Sequence, residues 1–392
     1  MMNFEFISNT KVIFGKGTDT CVGQELASRG YKRVLIHYGR TSVKNSGVLD
    51  RVHQSLNEND VTYIDLGGVV PNPRMELVKN GVALGKKESV DFVLAVGGGS
   101  AIDSAKAIAY GLANSFEISD LFLGKRQTNK IFPLGCILTI AAAGSETSNS
   151  CVITLENGML KRAYNHDCAR PIFAIMNPEL TYTLPAYQTA SGAADIMMHT
   201  MERYFTNTLD VELIDCMAEG LLATVLEATL QALNDPCDYN ARATLMWAGS
   251  ISHNGLLGTG RQGDFASHKI EHELSGMFDV AHGAGLCAIW GSWARHVFHI
   301  NINRFVQFAV KVFGIRQDFH DLEKTAMKGI AAWEAWCRAI GMPTNLRELG
   351  VAPAKEQLWE MANKATNNDT IKIGGFLPLS AADIVQILEG AK

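Results

Sequence analysis

The sequence predicts two domains of different class: an α/β domain with a parallel sheet over residues 1–184, then an all-α domain over residues 185–392. Three observations carry this reading. Up to residue 176, short runs rich in β-branched and aromatic residues alternate with helical patterns, as in a parallel sheet flanked by helices. Beyond Leu184-Pro185, helical patterns follow one another with almost no β-rich run. And 392 residues exceed what one small core organises.

Residues 11–15 (KVIFG) read as a short strand and residues 24–29 as part of a helix. RVLIHY, residues 33–38, is a compact β-rich run that closes on Gly39. After the loop Gly39-Arg40-Thr41-Ser42 a helix includes residues 50–56, and residues 61–66 form the next strand. Pro71-Asn72-Pro73 makes a rigid turn before a helix over residues 75–87. DFVLAV, residues 91–96, is continuously apolar, the pattern of a strand buried on both faces. It runs into Gly97-Gly98-Gly99-Ser100, and a helix continues over residues 101–113. Residues 134–140 form a strand that ends in the small residues Ala141-Ala142-Ala143-Gly144-Ser145. A hairpin turns at Asn157-Gly158, and residues 173–176 form the last strand. In the second half, residues 214–233, 241–255, 304–313, 322–340 and 355–365 are helical in pattern.

The glycine turn is the clearest phosphate signal. Glycines between a strand and a helix let the backbone approach a diphosphate, and the helix N-terminus offers free N–H groups and a positive dipole end. It is not a G-x-G-x-x-G fingerprint, and tight packing alone is the competing explanation. Asp103, in the first turns of that helix, is a candidate cap of backbone N–H groups.

The second half carries a different chemistry. Gln262 to Gly285 holds His268, His272 and His282, with the first two one helical turn apart on one face. Gly276 is the expected end of that helix, and His282 returns in the following loop. Upstream, Asp195 and His199 repeat the one-turn spacing on an apolar helix, with Glu202 three residues further on. An acid and an imidazole on such a face are expensive to bury unpaired. One cation held by Asp195, His199, His268 and His282 removes that cost, and this O/N set suits Fe(II) or Zn(II) better than Ca or Mg. A hydrogen-bonded Asp195–His199 pair without metal is the alternative.

The bulk numbers exclude other classes. A net charge of −5, with 19% charged residues and no Lys/Arg-rich block, points away from nucleic acid and anionic membranes. No signal-like segment or long apolar run is present, so no membrane partner is expected. The eight scattered cysteines, with no C-x-x-C pair, fit a reducing cytoplasm.

Taken together, GGGS-x-x-D-x-A-K (Gly97 to Lys106), GSE (Gly144 to Glu146), NP-x-x-T-x-TLP (Asn177 to Pro185), D-x-x-x-H and the three spaced histidines resemble the iron-containing, group III alcohol dehydrogenases, nearest to the butanol dehydrogenase and broad aldehyde reductase branch. The resemblance covers essentially the whole chain. It implies a dehydroquinate synthase-like architecture, an N-terminal NAD(P)-binding domain and a helical domain holding one divalent metal, Fe2+ or Zn2+. The expected reaction is interconversion of a primary alcohol and an aldehyde by a homodimer. The resemblance places the metal on Asp195, His199, His268 and His282, and makes His272 an active-site residue that is not a ligand. His272 is then a proton shuttle or a hydrogen-bonding neighbour.

On the cofactor side the resemblance implies Gly39, Arg40, Ser42, Asn72, Gly97, Gly98, Gly99, Ser100, Asp103, Thr139, Ser145, Lys161 and Leu180. Many butanol-type relatives have glycines where Arg40 and Thr41 stand. With no carboxylate in Gly39-Arg40-Thr41-Ser42 to repel a 2′-phosphate, NADP is the expected cofactor and NAD the alternative. The rival functions are a glycerol dehydrogenase-like polyol oxidoreductase, a lyase of the dehydroquinate synthase type, and a non-catalytic dinucleotide sensor. Few basic residues flank the metal-bearing segments, which disfavours the lyase, and the full ligand set disfavours the sensor.

Overall fold

The computed structural model describes residues 1–392 and divides into two compact units. One comprises Ile7–Leu184 with Pro236–Ser250; the other comprises Met1–Phe6, Pro185–Asp235 and Ile251–Lys392. The division differs from a single cut at residue 185 in two segments. Helical periodicity shows that residues near 241–255 form a helix but not which core receives it.

The first unit is built on eight strands: β1 (Lys11–Phe14), β2 (Arg33–Tyr38), β3 (Thr62–Leu66), β4 (Phe92–Gly97), β5 (Leu134–Leu138), β6 (Ser150–Leu155), β7 (Leu160–Asn165) and β8 (Phe173–Met176). Six of them form one sheet in the order β1-β8-β5-β4-β2-β3, with every pairing parallel. β6 and β7 form the separate antiparallel hairpin. Central strand β4 shows why the sheet holds. Val93 and Ala95 enter one apolar core with Ile102, Ile108 and Met176. Phe92, Leu94 and Val96 enter the opposite core with Leu26, Val52 and Leu56. A parallel strand covered on both faces must be apolar throughout.

The helices of this unit are α1 (Val22–Ser28), α2 (Ser42–Asn45), α3 (Val48–Asn57), α4 (Met75–Lys87), α5 (Gly99–Ala113) and α6 (Ser119–Phe122). The chain runs outward from β2 to β3, then returns to lay β4 on the other side of β2. The order therefore reverses between β2 and β4, and in open parallel sheets ligands bind beyond the carboxyl ends of such strands. Gly39 to Ser42 follow β2, and Gly98 to Ser100 follow β4, which ends on Gly97. His37 on β2 has no exposed surface; it bonds the Leu66 carbonyl through Nδ1 (2.9 Å) and the Ser104 hydroxyl through Nε2 (2.7 Å). Burial pushes its pKa down to about 4, so it stands neutral beneath the reversal point.

The second unit is helical: α7 (Ala186–Tyr204), α8 (Glu212–Asn234), α10 (Ala266–Phe278), α11 (His282–Val297), α12 (Ile302–Phe313), α13 (Leu322–Ala339), α14 (Lys355–Ala365) and α15 (Ala381–Gly390). Between them α9 spans Tyr239–His253, and the division falls after Ser250, within its last turn. Up to that point α9 belongs with the sheet: Met246 lies in the core beside β8, and the Ser250 hydroxyl donates to Glu146 (2.5 Å). The helical core is aromatic, with Phe205 against Phe305 (4.6 Å), Phe308, Trp290 and Trp293.

Two expectations about the histidine segment are corrected. α10 does not end at Gly276 but continues to Phe278, and Asp279, with φ 51°, supplies the left-handed residue that stops it. Asp tolerates that conformation better than most residues, so a glycine was not required. His282 is the first residue of α11, not part of the loop.

Candidate metal centre and nucleotide cradle

α7 carries Asp195 and His199 one turn apart, α10 carries His268, and α11 opens on His282. Asp195 Oδ1 lies 3.4 Å from His199 Nε2, 3.9 Å from His268 Nε2 and 3.7 Å from His282 Nε2. Asp195, His268 and His282 each offer a donor atom within 4.8 Å of the others, while His199 stands outside that group, its Nε2 near Asp195. Asp195, His199 and His268 are buried, and His282 keeps a quarter of its side-chain surface. Asp195 Oδ1 and His268 Nε2 are buried without a hydrogen-bond partner, which is costly unless a cation lies between them. Donors at about 2.1 Å from a tetrahedral ion sit about 3.4 Å apart, close to the separations of 3.4–3.9 Å between Asp195 Oδ1 and the three Nε2 atoms. The donor set fits a divalent transition metal.

What aims these rings is a set of buried carboxylates. Glu202 Oε1 accepts from both the backbone N–H and Nδ1 of His268, at 3.0 Å each. Glu271 has no exposed surface; it accepts from Nδ1 of His282 and from the Ser275 hydroxyl. Gly285 makes room for it, because a Cβ there would stand 3.0 Å from Glu271 Cγ. A carboxylate on Nδ1 leaves Nε2 free to face Asp195 and raises its basicity. Burial alone would lower the His268 pKa, but the negative charges of Asp195 and Glu202, with the Glu202 hydrogen bond, raise it to about 9. His199 goes the other way, pushed well down by burial and then by His253, His268 and Arg203.

His272 is half-buried on α10 with its ring 5.7 Å from that of His282. It groups with Glu271 and His282 and not with Asp195. Glu271 and His253 were not singled out from the sequence. The only signal for Glu271 was its place beside the apolar positions Ile270 and Leu274; His253 carried none.

In the α/β unit the glycine turn is tight because its surroundings leave no room. A Cβ on Gly98 would come within 3.1 Å of Ile140, and one on Gly97 within 2.7 Å of Ala101 Cβ. α5 begins at Gly99, so the helix N-terminus lies within the turn itself. Thr139 sits beside it, its N–H bonded to the Gly97 carbonyl (3.0 Å). Asp103 does not cap the helix. It reaches across to accept from the Ser145 hydroxyl and from the Val152 N–H (2.9 Å), and burial raises its pKa.

Lys106, fully buried, donates to the carbonyls of Ser145 (2.8 Å), Ser148 (3.0 Å) and Ser150 (2.7 Å). α5 thus fixes the segment that presents Ser145. Lys161 and Asn72 are buried, and Asn72 adopts φ 53°. Leu180 packs into the core that contains Phe173 and Ile175. Arg40, Thr41 and Ser42 are exposed at the end of β2.

A glycine turn at the reversal point of a parallel sheet, on a chain that also gathers three imidazoles around a buried carboxylate, defines a nucleotide- and metal-dependent enzyme. The chain belongs to the iron-containing alcohol dehydrogenases: the family model described as iron-containing alcohol dehydrogenase matches residues 9–178, and its Fe-containing C-terminal model matches residues 189–392. It is similar to NADH-dependent butanol dehydrogenase A of Clostridium acetobutylicum, with 37% identity over 99% of each chain. It is also similar to the NADPH-dependent aldehyde reductase YqhD of Escherichia coli, with 36% identity over 90% of each. The crystal structure of a Thermotoga maritima NADH-dependent butanol dehydrogenase A superposes with a TM-score of 0.96 at 36% identity, covering 100% of this chain and 99% of that one. The chain is therefore an oxidoreductase of alcohols and aldehydes that uses a nicotinamide cofactor and a divalent metal of the iron type.

Proposed function

We propose that Asp195, His199, His268 and His282 hold the metal, that Gly97, Gly98, Gly99 and Ser100 receive the cofactor diphosphate, and that the substrate is a primary alcohol or its aldehyde. The observation that carries this is the meeting of three Nε2 atoms on one buried, unpartnered carboxylate oxygen. When both are bound, the metal polarises the substrate oxygen and the nicotinamide gives or takes the hydride. The chain's own residues do the rest. Glu202 and Glu271 hold two imidazoles in the tautomer that faces Asp195. The N–H groups of the α5 N-terminus receive the diphosphate charge. His272, beside His282 at the edge of the cluster, takes the alcohol proton or returns it. Asp103 and Lys106 serve the cofactor indirectly by fixing Ser145. Metal content of the freshly purified protein, measured with activity on a series of aldehydes, tests this reading; an active protein without metal overturns it.

The cofactor is NADPH in this reading, with NADH the weaker substrate. Exposed Arg40 and Ser42 follow β2 at the reversal point, and no acid stands among Gly39 to Ser42. A guanidinium–phosphate contact contributes about 1.5–3 kcal/mol, roughly 10- to 100-fold. Arg40→Asp is therefore expected to raise the KM for NADPH at least about 10-fold and to leave that for NADH within about 3-fold. Equal changes for both cofactors would show that Arg40 does not read the phosphate.

We further propose a homodimer in the cytoplasm. β1 is an edge strand, and an open edge is a template on which a second copy can pair. Sedimentation is expected to give twice 42.7 kDa, and a monomer at micromolar concentration would refute it. All eight cysteines are free thiols, which supports a reducing compartment and is checked by cell fractionation. No helix is long and apolar enough to cross a membrane.

A further inference from the structure

Of the three imidazoles that meet Asp195, two have a carboxylate on Nδ1. His199 has none, and its Nδ1 is buried without a hydrogen-bond partner. The side-chain torsion that orients an imidazole is broad and roughly two-fold, so a ring unheld at Nδ1 is free to turn its other nitrogen inward. Something else must keep Nε2 toward Asp195.

We propose that His253, set in place by Arg203, is the positioning residue for His199, and that it acts through ring contact. Arg203 stands one turn beyond His199 on α7, and its guanidinium lies 5.0 Å over the Phe265 ring. Its Nη1 donates to the His199 carbonyl (2.6 Å) and its Nη2 to Nδ1 of His253 (3.1 Å). A guanidinium has no acceptor, so His253 accepts through Nδ1 and carries its ring proton on Nε2. That bond fixes the plane of the His253 ring. The ring so fixed lies 4.0 Å from the His199 ring at 47°, closer than the His268 ring at 4.4 Å. His253 thereby does for His199 what Glu202 does for His268 and Glu271 for His282.

The inference rests on the metal reading above, and the test separates the two. The full chain is loaded with Co2+, and release of Co2+ to excess chelator is followed for the wild type, H253A, H253F and H199A, alongside thermal midpoints of the metal-free forms. Loss of an outer partner of a metal-bound histidine costs about 10- to 100-fold in retention. H253A is expected to release Co2+ at least about 10-fold faster with an altered Co2+ visible spectrum, while H253F, which keeps a ring but not the acceptor for Arg203, leaks clearly less than H253A. Should H253A fail to fold, H253N replaces it with the same expected leak, because it keeps an acceptor for Arg203 but no ring. Wild-type retention in the ringless variant, or a leak in H253F as large as in that variant, overturns the inference. If H199A also retains Co2+ like the wild type, the ligand assignment has failed; if H199A leaks and H253A does not, only the role of His253 has.

Discussion

His268→Ala is expected to yield a folded protein that binds no stoichiometric metal and reduces aldehydes at least about 10³-fold more slowly. A Lewis-acid contribution of several kcal/mol, roughly 4 here, corresponds to that factor. The substitution removes the Nε2 that lies 3.9 Å from Asp195 Oδ1 and so deletes one of the four proposed donors. Glu202 loses the imidazole but keeps the backbone N–H of residue 268 at 3.0 Å, so the carboxylate is not stranded. Chelator treatment of the wild type should produce the same loss, reversed by Fe2+ or Zn2+ in the wild type and not in the variant. Metal analysis with NAD(P)H oxidation measures both. A metal-free protein that kept full activity would end the proposal that these four residues form the catalytic centre.

A large effect on stability is expected from one hydrogen atom's worth of space in α11. A Cβ on Gly283 would stand 2.0 Å from the Ser191 carbonyl oxygen, and that atom belongs to the backbone of α7. No side-chain rotation relieves such a clash, so the helices must separate. Overpacking typically costs 1–3 kcal/mol and more where backbone must move; about 3 kcal/mol or more is expected for Gly283→Ala. For a unit of this size that lowers the thermal midpoint by roughly 6–12 °C. Because Gly283 follows His282 and Ser191 precedes Asp195 by one turn, the same displacement should weaken metal retention. A variant with wild-type midpoint and metal content would show that the two helices are not held at this point.

Local spacing made the proposed donor residues stand out. A separation of four on an apolar helix puts Asp195 and His199 on one face whatever the rest of the chain does, and four residues separate His268 from His272 in the same way. The carboxylates that aim the rings could not be read so directly. Glu271 looks like one of two similar acids on α10 until Gly285 and His282 of the next helix close over it. His253 comes from a helix whose remaining turns belong to the other unit. Helix ends were readable only where a side chain made the stop: Gly276 looked like one, but the chain turns left-handed at Asp279. The last helix was not read from the sequence, although its start carries a capping motif. Ser380 and Asp383 form a reciprocal cap, with the Ser380 N–H bonded to Asp383 at 2.8 Å, just before Ile384 and Val385.

The path of the chain limits how such proteins can be recombined. It passes between the two units four times, after Phe6, Leu184, Asp235 and Ser250. Met246 fills part of the sheet's core, and Trp247 meets the ring of Phe14 edge-on at 6.3 Å. A gene split at codon 184 would thus separate the cofactor half from a wall encoded fifty residues downstream. Chimeras that exchange nucleotide-binding halves between relatives need residues 236–250 to travel with them, as a graft inserted within the helical half.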